Sequence, residues 1–268
     1  MRIVAFDCDG VLFDFYGEDF VVAHNALLAM DPAADPLGRG RALLSHPDIA
    51  LATPAHPAFA GFRALATFVA RAEDYLTAWH VIMERPQDVP AMTEEAFDQA
   101  RQAWRAVYPA FKEAFYGARR ALQEQDMTAW LSMTPPYPGL PQAVAQVANA
   151  GAIVVVATGR DNDSTWRLLG HHGMDRHVSE VVSRELSSLK DRQMEYLAGR
   201  YQVGPAQLLF VDDALRNVRA VRGRATPWLA TWGSARPEHL QAAQEEGIAT
   251  VGLDALADSL LRWLEGTP

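Results

Sequence analysis

The sequence is short of cysteine, of positive charge and of long apolar runs, and each shortage closes off a class of protein. Cys8 is the only cysteine in 268 residues. It can form no intrachain disulfide, and no cysteine-based zinc site can be assembled around it. Lysine and arginine together number 24 against 33 acidic residues, a net charge of −9. A surface devoted to nucleic acid needs the opposite balance, so no nucleic-acid partner is expected. No apolar run approaches the roughly 18 residues of a membrane span. The N-terminal Met1-Arg2-Ile3-Val4-Ala5-Phe6 reaches Asp7 before the apolar core of a signal peptide could form. These shortages predict a cytoplasmic chain with no membrane partner. What is present suits a packed interior: 49% of residues are hydrophobic and 21% charged. The length fits one large domain or two small ones.

The chain divides by texture. Arg2 to Phe6 is a short apolar run that stops abruptly at Asp7-Cys8-Asp9-Gly10, as a buried parallel strand with acids at its carboxyl end would. From Phe15 to Thr134 no strand pattern is convincing. Apolar spacing there predicts helices over 20–30, 58–83 and 94–125, the last bent at Pro109. The turn Thr134-Pro135-Pro136-Tyr137-Pro138-Gly139 then marks a boundary. Beyond it strands at 152–157, 178–183, 207–211, 227–231 and 248–251 alternate with helices at 142–150, 164–171, 191–201 and 254–264. That rhythm predicts an α/β fold, a doubly wound parallel sheet. Residues 1–14 and 135–268 would build the Rossmann-like core, and 15–134 an inserted all-α domain.

Ligands of such sheets bind outside the carboxyl ends of the strands. Three apolar runs end in chemistry: Asp7 and Asp9, Thr158 and Gly159, Asp212 and Asp213. In the first, Gly10 permits a sharp turn that lets two carboxylates reach one place. Two such charges repel by about 4 kcal/mol at 4 Å and an effective dielectric of 20. They need a cation, or one of them must hold a proton. An isolated acid pair of this kind is otherwise only a polar turn.

These residues, with Lys190 ahead of Gln207-Leu208-Leu209-Phe210-Val211-Asp212-Asp213, resemble the motifs of the haloacid dehalogenase-like superfamily of phosphohydrolases. The four motifs occur in the family's order, and the resemblance spans the whole predicted core. It implies that Asp7 is the nucleophile that takes the phosphoryl group and Asp9 the general acid and base. Thr158 and Gly159 would bind phosphoryl oxygens, and Lys190 would offset the charge. Magnesium would be held by Asp7, the Asp9 backbone carbonyl and Asp212. Asp213 would sit just outside or hold Lys190. The family commonly has glycine where this chain has Val211. Dehalogenases proper lack the second acid, since a departing halide needs no proton, so Asp9 directs the expectation to phosphoryl transfer. The inserted domain stands where the family carries a helical cap.

The function this implies is magnesium-dependent hydrolysis of a small phosphorylated metabolite. A sugar-phosphate mutase would share every core motif. A phosphonate hydrolase would need a Schiff-base lysine in the cap, where Lys112 is the only lysine between residues 15 and 134. A non-catalytic binding protein on this fold has no chemical reason to keep the full set. Cys8 reads as a small packing residue, Arg160 as either adding charge to the site or facing solvent, with solvent favoured, and Asn217 as fixing its own loop. His171, His172 and His177 are expected to do nothing chemical. Arg39, Arg41, His46, His56 and Arg63 are the cap residues that could meet substrate.

Overall fold

The computed structural model describes residues 1–40 and 42–266, so Arg41 lies outside the described residues. The first strand, β1 (Ile3–Phe6), is buried along its whole length. After it the chain leaves for the inserted unit, residues 15–134, one of two compact units. This unit holds α1 (Tyr16–Met30), α2 (Pro57–Ala66), α3 (Asp74–Glu84), α4 (Glu94–Trp104), α5 (Tyr108–Gln125) and α6 (Met127–Ser132).

Two of the helices predicted here are each broken in two. The 58–83 helix is interrupted because the Asp74 carboxylate turns back to accept the Ala70 and Arg71 amides at 2.9 and 3.1 Å, bonds that suit a turn. In the 94–125 stretch Pro109 starts α5, where its missing N–H costs nothing, and so does not bend a longer helix. The inside of the unit is aromatic. Phe20 meets Phe59, Phe62 and Trp79, and Tyr75 stacks between Phe62 and Phe115. Glu18 and Asp19 of α1 are buried beside them. Both pair with Arg119 of α5, at 2.7 to 2.9 Å. Tyr75 donates to Asp19 and Trp130 to Glu18, so these charges are paired and hydrogen-bonded as burial demands.

The other unit comprises 1–14 and 135–268. Its two segments join where Asp14 N donates to Pro135 O and Tyr137 N to Leu12 O. It continues with α7 (Leu140–Asn149), β2 (Ile153–Ala157), α8 (Asn162–His171), β3 (Glu180–Val182), α9 (Lys190–Tyr201), β4 (Leu208–Asp212), α10 (Leu215–Ala220), β5 (Thr226–Ala230), α11 (Pro237–Glu245), β6 (Ala249–Val251) and α12 (Leu256–Glu265). The six strands form one parallel sheet in the order β3-β2-β1-β4-β5-β6, the doubly wound arrangement.

Alternation sorts the strands into two faces. Ile3, Ala5, Val155, Leu208 and Phe210 pack with Met194 and Leu197 of α9 on one of them. β1 lies between β2 and β4, so the chain reverses direction of winding beside it. That is the switch point where such sheets open a crevice. The register Phe6↔Val156 and Phe6↔Val211 brings Asp7, Thr158 and Asp212 out at nearly the same level. Among the described residues no helix is long and apolar enough to cross a membrane.

Candidate active site

The first acid of the motif is placed by backbone. Asp7 N donates to Val211 O at 2.9 Å, an extra rung beyond the strand pairing that locks the residue to β4. Its Oδ1 accepts the Cys8 amide at 2.7 Å and the Lys190 ammonium at 2.8 Å. Two residues on, Gly10 adopts φ +79°, where a side chain would be strained. A Cβ at Gly10 would also overlap the Asp213 carboxylate. Gly233 is confined in the same way, by Asp213 and by the Gly10 carbonyl. The Gly10→Ala variant is therefore expected to lose about 1–3 kcal/mol of stability, read by urea unfolding. A midpoint equal to the parent's would show that Asp213 yields without cost.

Lys190 begins α9 and points inward. Its Nζ also donates to Ala157 O at 2.6 Å and lies 3.7 Å from Asp212 Oδ2. Burial alone would lower its pKa, but the charges of Asp7 and Asp212 outweigh burial and raise it. Asp212 is fully buried. It accepts the Ala214 amide at 2.8 Å, and Asn217 Nδ2 straddles both of its oxygens at 3.1 and 3.0 Å. Asn217 thus fixes a site carboxylate as well as its own loop. Asp213 takes the Ser234 amide at 2.6 Å. The ion pairs of Lys190 run to Asp7 and Asp212, not to Asp213 as the family pattern allowed.

Thr158 is buried and its hydroxyl accepts the Arg160 amide at 3.0 Å. The hydroxyl proton is thereby left for an acceptor in the site. Gly159 beside it is exposed. Arg160 takes the less favoured of its two expected places: it is 7% exposed. Its Nε donates to both oxygens of Asp9 at 2.7 and 2.8 Å, so an acid across the site, not solvent, holds it. A lone arginine after Thr-Gly carries no periodic signal that could have told the two apart.

Sequence reading also passed over Gln193 and the Trp232-Gly233-Ser234 turn, whose Trp232 Nε1 donates to Val11 O at 3.1 Å. His172 packs on Phe13 and His171 on His172. His46 is buried and donates to Leu122 O at 2.9 Å, and Arg39 pairs with Asp48 at the surface.

Among the described residues, the one group of side chains that could hold a metal is Asp7, Asp212 and Asp213, whose ligand atoms lie within 4.8 Å of one another. The Asp9 carboxylate is outside it, committed to Arg160. Burial, partly opposed by Lys190 and reinforced by Asp212 and Asp9, raises the Asp7 pKa to about 7. Burial and the charge of Asp7 raise Asp213 to about 6. Burial raises Asp212 as well. Of these three buried carboxylates two share one ammonium and, among the described residues, the third has none, which leaves negative charge unmatched and ready for protons or a cation. Oxygen donors alone suit a hard ion such as magnesium.

Comparison with known proteins bears on the family and the fold. Residues 1–223 match the family model of haloacid dehalogenase-like hydrolases. No curated protein matches the sequence. The fold is similar to that of a "predicted phosphoglycolate phosphatase" of Haemophilus somnus 129PT, 20% identical, with TM-score 0.59 over 97% of this chain and 96% of that one. It is also similar to a "predicted phosphatase" of Clostridium acetobutylicum, 16% identical, with TM-score 0.61 over 97% and 98%. A Thermotoga maritima protein named provisionally as a beta-phosphoglucomutase is 15% identical, with TM-score 0.55 over 97% and 98%.

Proposed function

We propose that this chain, which belongs to the haloacid dehalogenase-like hydrolases, is a magnesium-dependent phosphomonoesterase that acts on a small phosphorylated metabolite through an aspartyl phosphate. The observation that carries the reading is how Asp7 is held. Both donors sit on Oδ1, and among the described residues Oδ2 accepts none. A carboxylate gripped by one oxygen presents the other to an electrophile.

In the first step an Asp7 oxygen bonds to phosphorus, the phosphorus–oxygen bond to the leaving group breaks, and Asp9 gives its proton to the departing alkoxide. In the second step Asp9 takes a proton from water, the water oxygen bonds to phosphorus, and inorganic phosphate leaves as the Asp7 carboxylate re-forms. Arg160 occupies both Asp9 oxygens, so Asp9 acts after exchanging one of these contacts for substrate or water. The Thr158 hydroxyl, the Gly159 amide and the Lys190 ammonium bind phosphoryl oxygens as charge shifts onto them. Asp7, Asp212, Asp213 and the Asp9 backbone carbonyl are the groups that would hold the cation. When bound, it offsets the carboxylate and phosphoryl charges. Residues 15–134 serve as the cap, where substrate choice resides.

The test is phosphate release from a panel of phosphorylated metabolites and from p-nitrophenyl phosphate. Activity is expected with magnesium, lost in excess chelator and regained on adding the ion back. Undiminished activity after dialysis against chelator would refute the metal requirement. Isomerised sugar phosphate without phosphate release would replace the hydrolase with a mutase using the same core.

A further inference from the structure

We propose that Gln193 is a positioning residue for phosphoryl transfer, whose buried amide holds the Thr158 turn and the loop before Lys190 in the spacing that lets both residues grip one phosphoryl group. The proposal rests on the phosphoryl-transfer reading above. Gln193 lies three residues after Lys190 on α9, so the two side chains share a face of the helix. Lys190 uses that face to reach Asp7. Gln193 uses it to reach three carbonyls: the two hydrogens of Nε2 go to Thr158 O at 2.8 Å and Ser187 O at 2.7 Å, and Val182 O at 3.2 Å shares one of them. These belong to the turn after β2, the end of β3 and the loop that leads into α9.

The residue is 0% exposed, and among the described residues its Oε1 has no hydrogen-bond partner. Turning the amide over would set that oxygen against three carbonyl oxygens, so its orientation is determined by chemistry. An unbonded buried oxygen is costly to keep. An amide kept under that cost, with its NH2 end serving three segments, suits a requirement for geometry more than one for stability. The segments need such a tie. Arg184, Glu185, Leu186, Ser188 and Leu189 are all exposed, so little burial fixes the loop that delivers Lys190. Thr158 is already held by its amide on Val182 O and its hydroxyl on Arg160 N. Gln193 adds the grip on its carbonyl and couples that grip to the lysine helix.

The experiment is a double-mutant cycle on the full chain with magnesium and p-nitrophenyl phosphate. Gln193→Met keeps the length and removes the donors. It is expected to lower kcat on the order of tenfold, since sub-ångström misplacement of binding groups is costly, while KM moves less than threefold. In a Thr158→Val background the same change is expected to cost less than twofold, because the hydroxyl it positions is gone. Equal factors in both backgrounds would mark a merely structural residue and overturn the proposal, as would an unchanged kcat. Gln193→Asn, too short to span the three carbonyls, repeats the cycle if Gln193→Met does not fold. Failure of both to fold would also overturn it, assigning Gln193 to the fold. A parent chain that releases no p-nitrophenol refutes the proposed function itself. An active parent with unaffected Gln193 variants refutes this inference alone.

Discussion

Replacing Asp7 with asparagine is expected to reduce phosphate release to background with every substrate. The carboxamide has nearly the carboxylate's shape, and its oxygen can still accept the Cys8 amide and the Lys190 ammonium that Asp7 accepts. What it lacks is a nucleophile, so no covalent phosphoenzyme forms and the first step has no route. The loss should not come from misfolding. Asp7 is buried against Asp212, and its pKa stands at about 7, pushed up first by burial from an ordinary 3.8.

A carboxyl group with a raised folded-state pKa favours folding while it is protonated. That contribution is complete below about pH 3.8 and is lost as pH rises to about 7. With chelator present at pH 8, the parent therefore carries a charge that the asparagine variant does not. Thermal unfolding under those conditions should show Asp7→Asn at least as stable as the parent. With magnesium the order should reverse, since the variant has lost a ligand and the parent gains stability by binding. Retained turnover, or a variant that is unstable in both conditions, would remove Asp7 from the nucleophile's place.

The parts of this molecule that were legible in the sequence are those in which one stretch of chain decides the outcome. Ile3–Phe6, Ile153–Ala157 and Leu208–Asp212 are apolar runs with β-branched or aromatic residues, long enough for a buried strand and too short for a helix. The chemistry-bearing residues follow them directly, and a parallel sheet gathers such ends by construction. Helix boundaries in the inserted unit were harder. The break before α3 depends on a single carboxylate, Asp74, reaching back to two amides, which hydrophobic spacing does not register. The site residues that were missed or given too little weight share another feature: each acts across chain segments. Arg160 turns inward because Asp9 is there to receive it. Ser234 matters because its amide reaches Asp213. Gln193 serves three carbonyls from three segments. A residue defined by partners far away in sequence has no local pattern to show. One clue was nonetheless present, a glutamine three residues after Lys190 on a helix face that continues into the buried Met194 and Leu197.

Replacing Asp9 with asparagine should fail in a different way, and the difference tests the division of labour between the two acids. The variant keeps Asp7 and its donors, and its backbone carbonyl is unaltered. Its side-chain oxygen can still accept from Arg160 Nε, which donates to Asp9 in the parent at 2.7 and 2.8 Å. It can no longer deliver a proton to the leaving group or take one from water. General acid–base assistance contributes roughly 10²–10⁴-fold, so hydrolysis of alkyl phosphates should fall by about that factor. p-Nitrophenolate leaves well without a proton, so its transfer to Asp7 should suffer much less. The second step still lacks its base, because the water that attacks the aspartyl phosphate is the same for every substrate. The phosphoenzyme should therefore accumulate. Rapid mixing with p-nitrophenyl phosphate should release close to one equivalent of p-nitrophenol per chain and then turn over slowly, and acid quenching should trap phosphate on the protein. The parent, with its base intact, should show no such burst. Equal and complete loss with alkyl and p-nitrophenyl substrates, on folded variant, would mean that Asp9 is needed before any bond to phosphorus changes. In that case its pairing with Arg160 would be a part of the binding site and not the resting state of an acid.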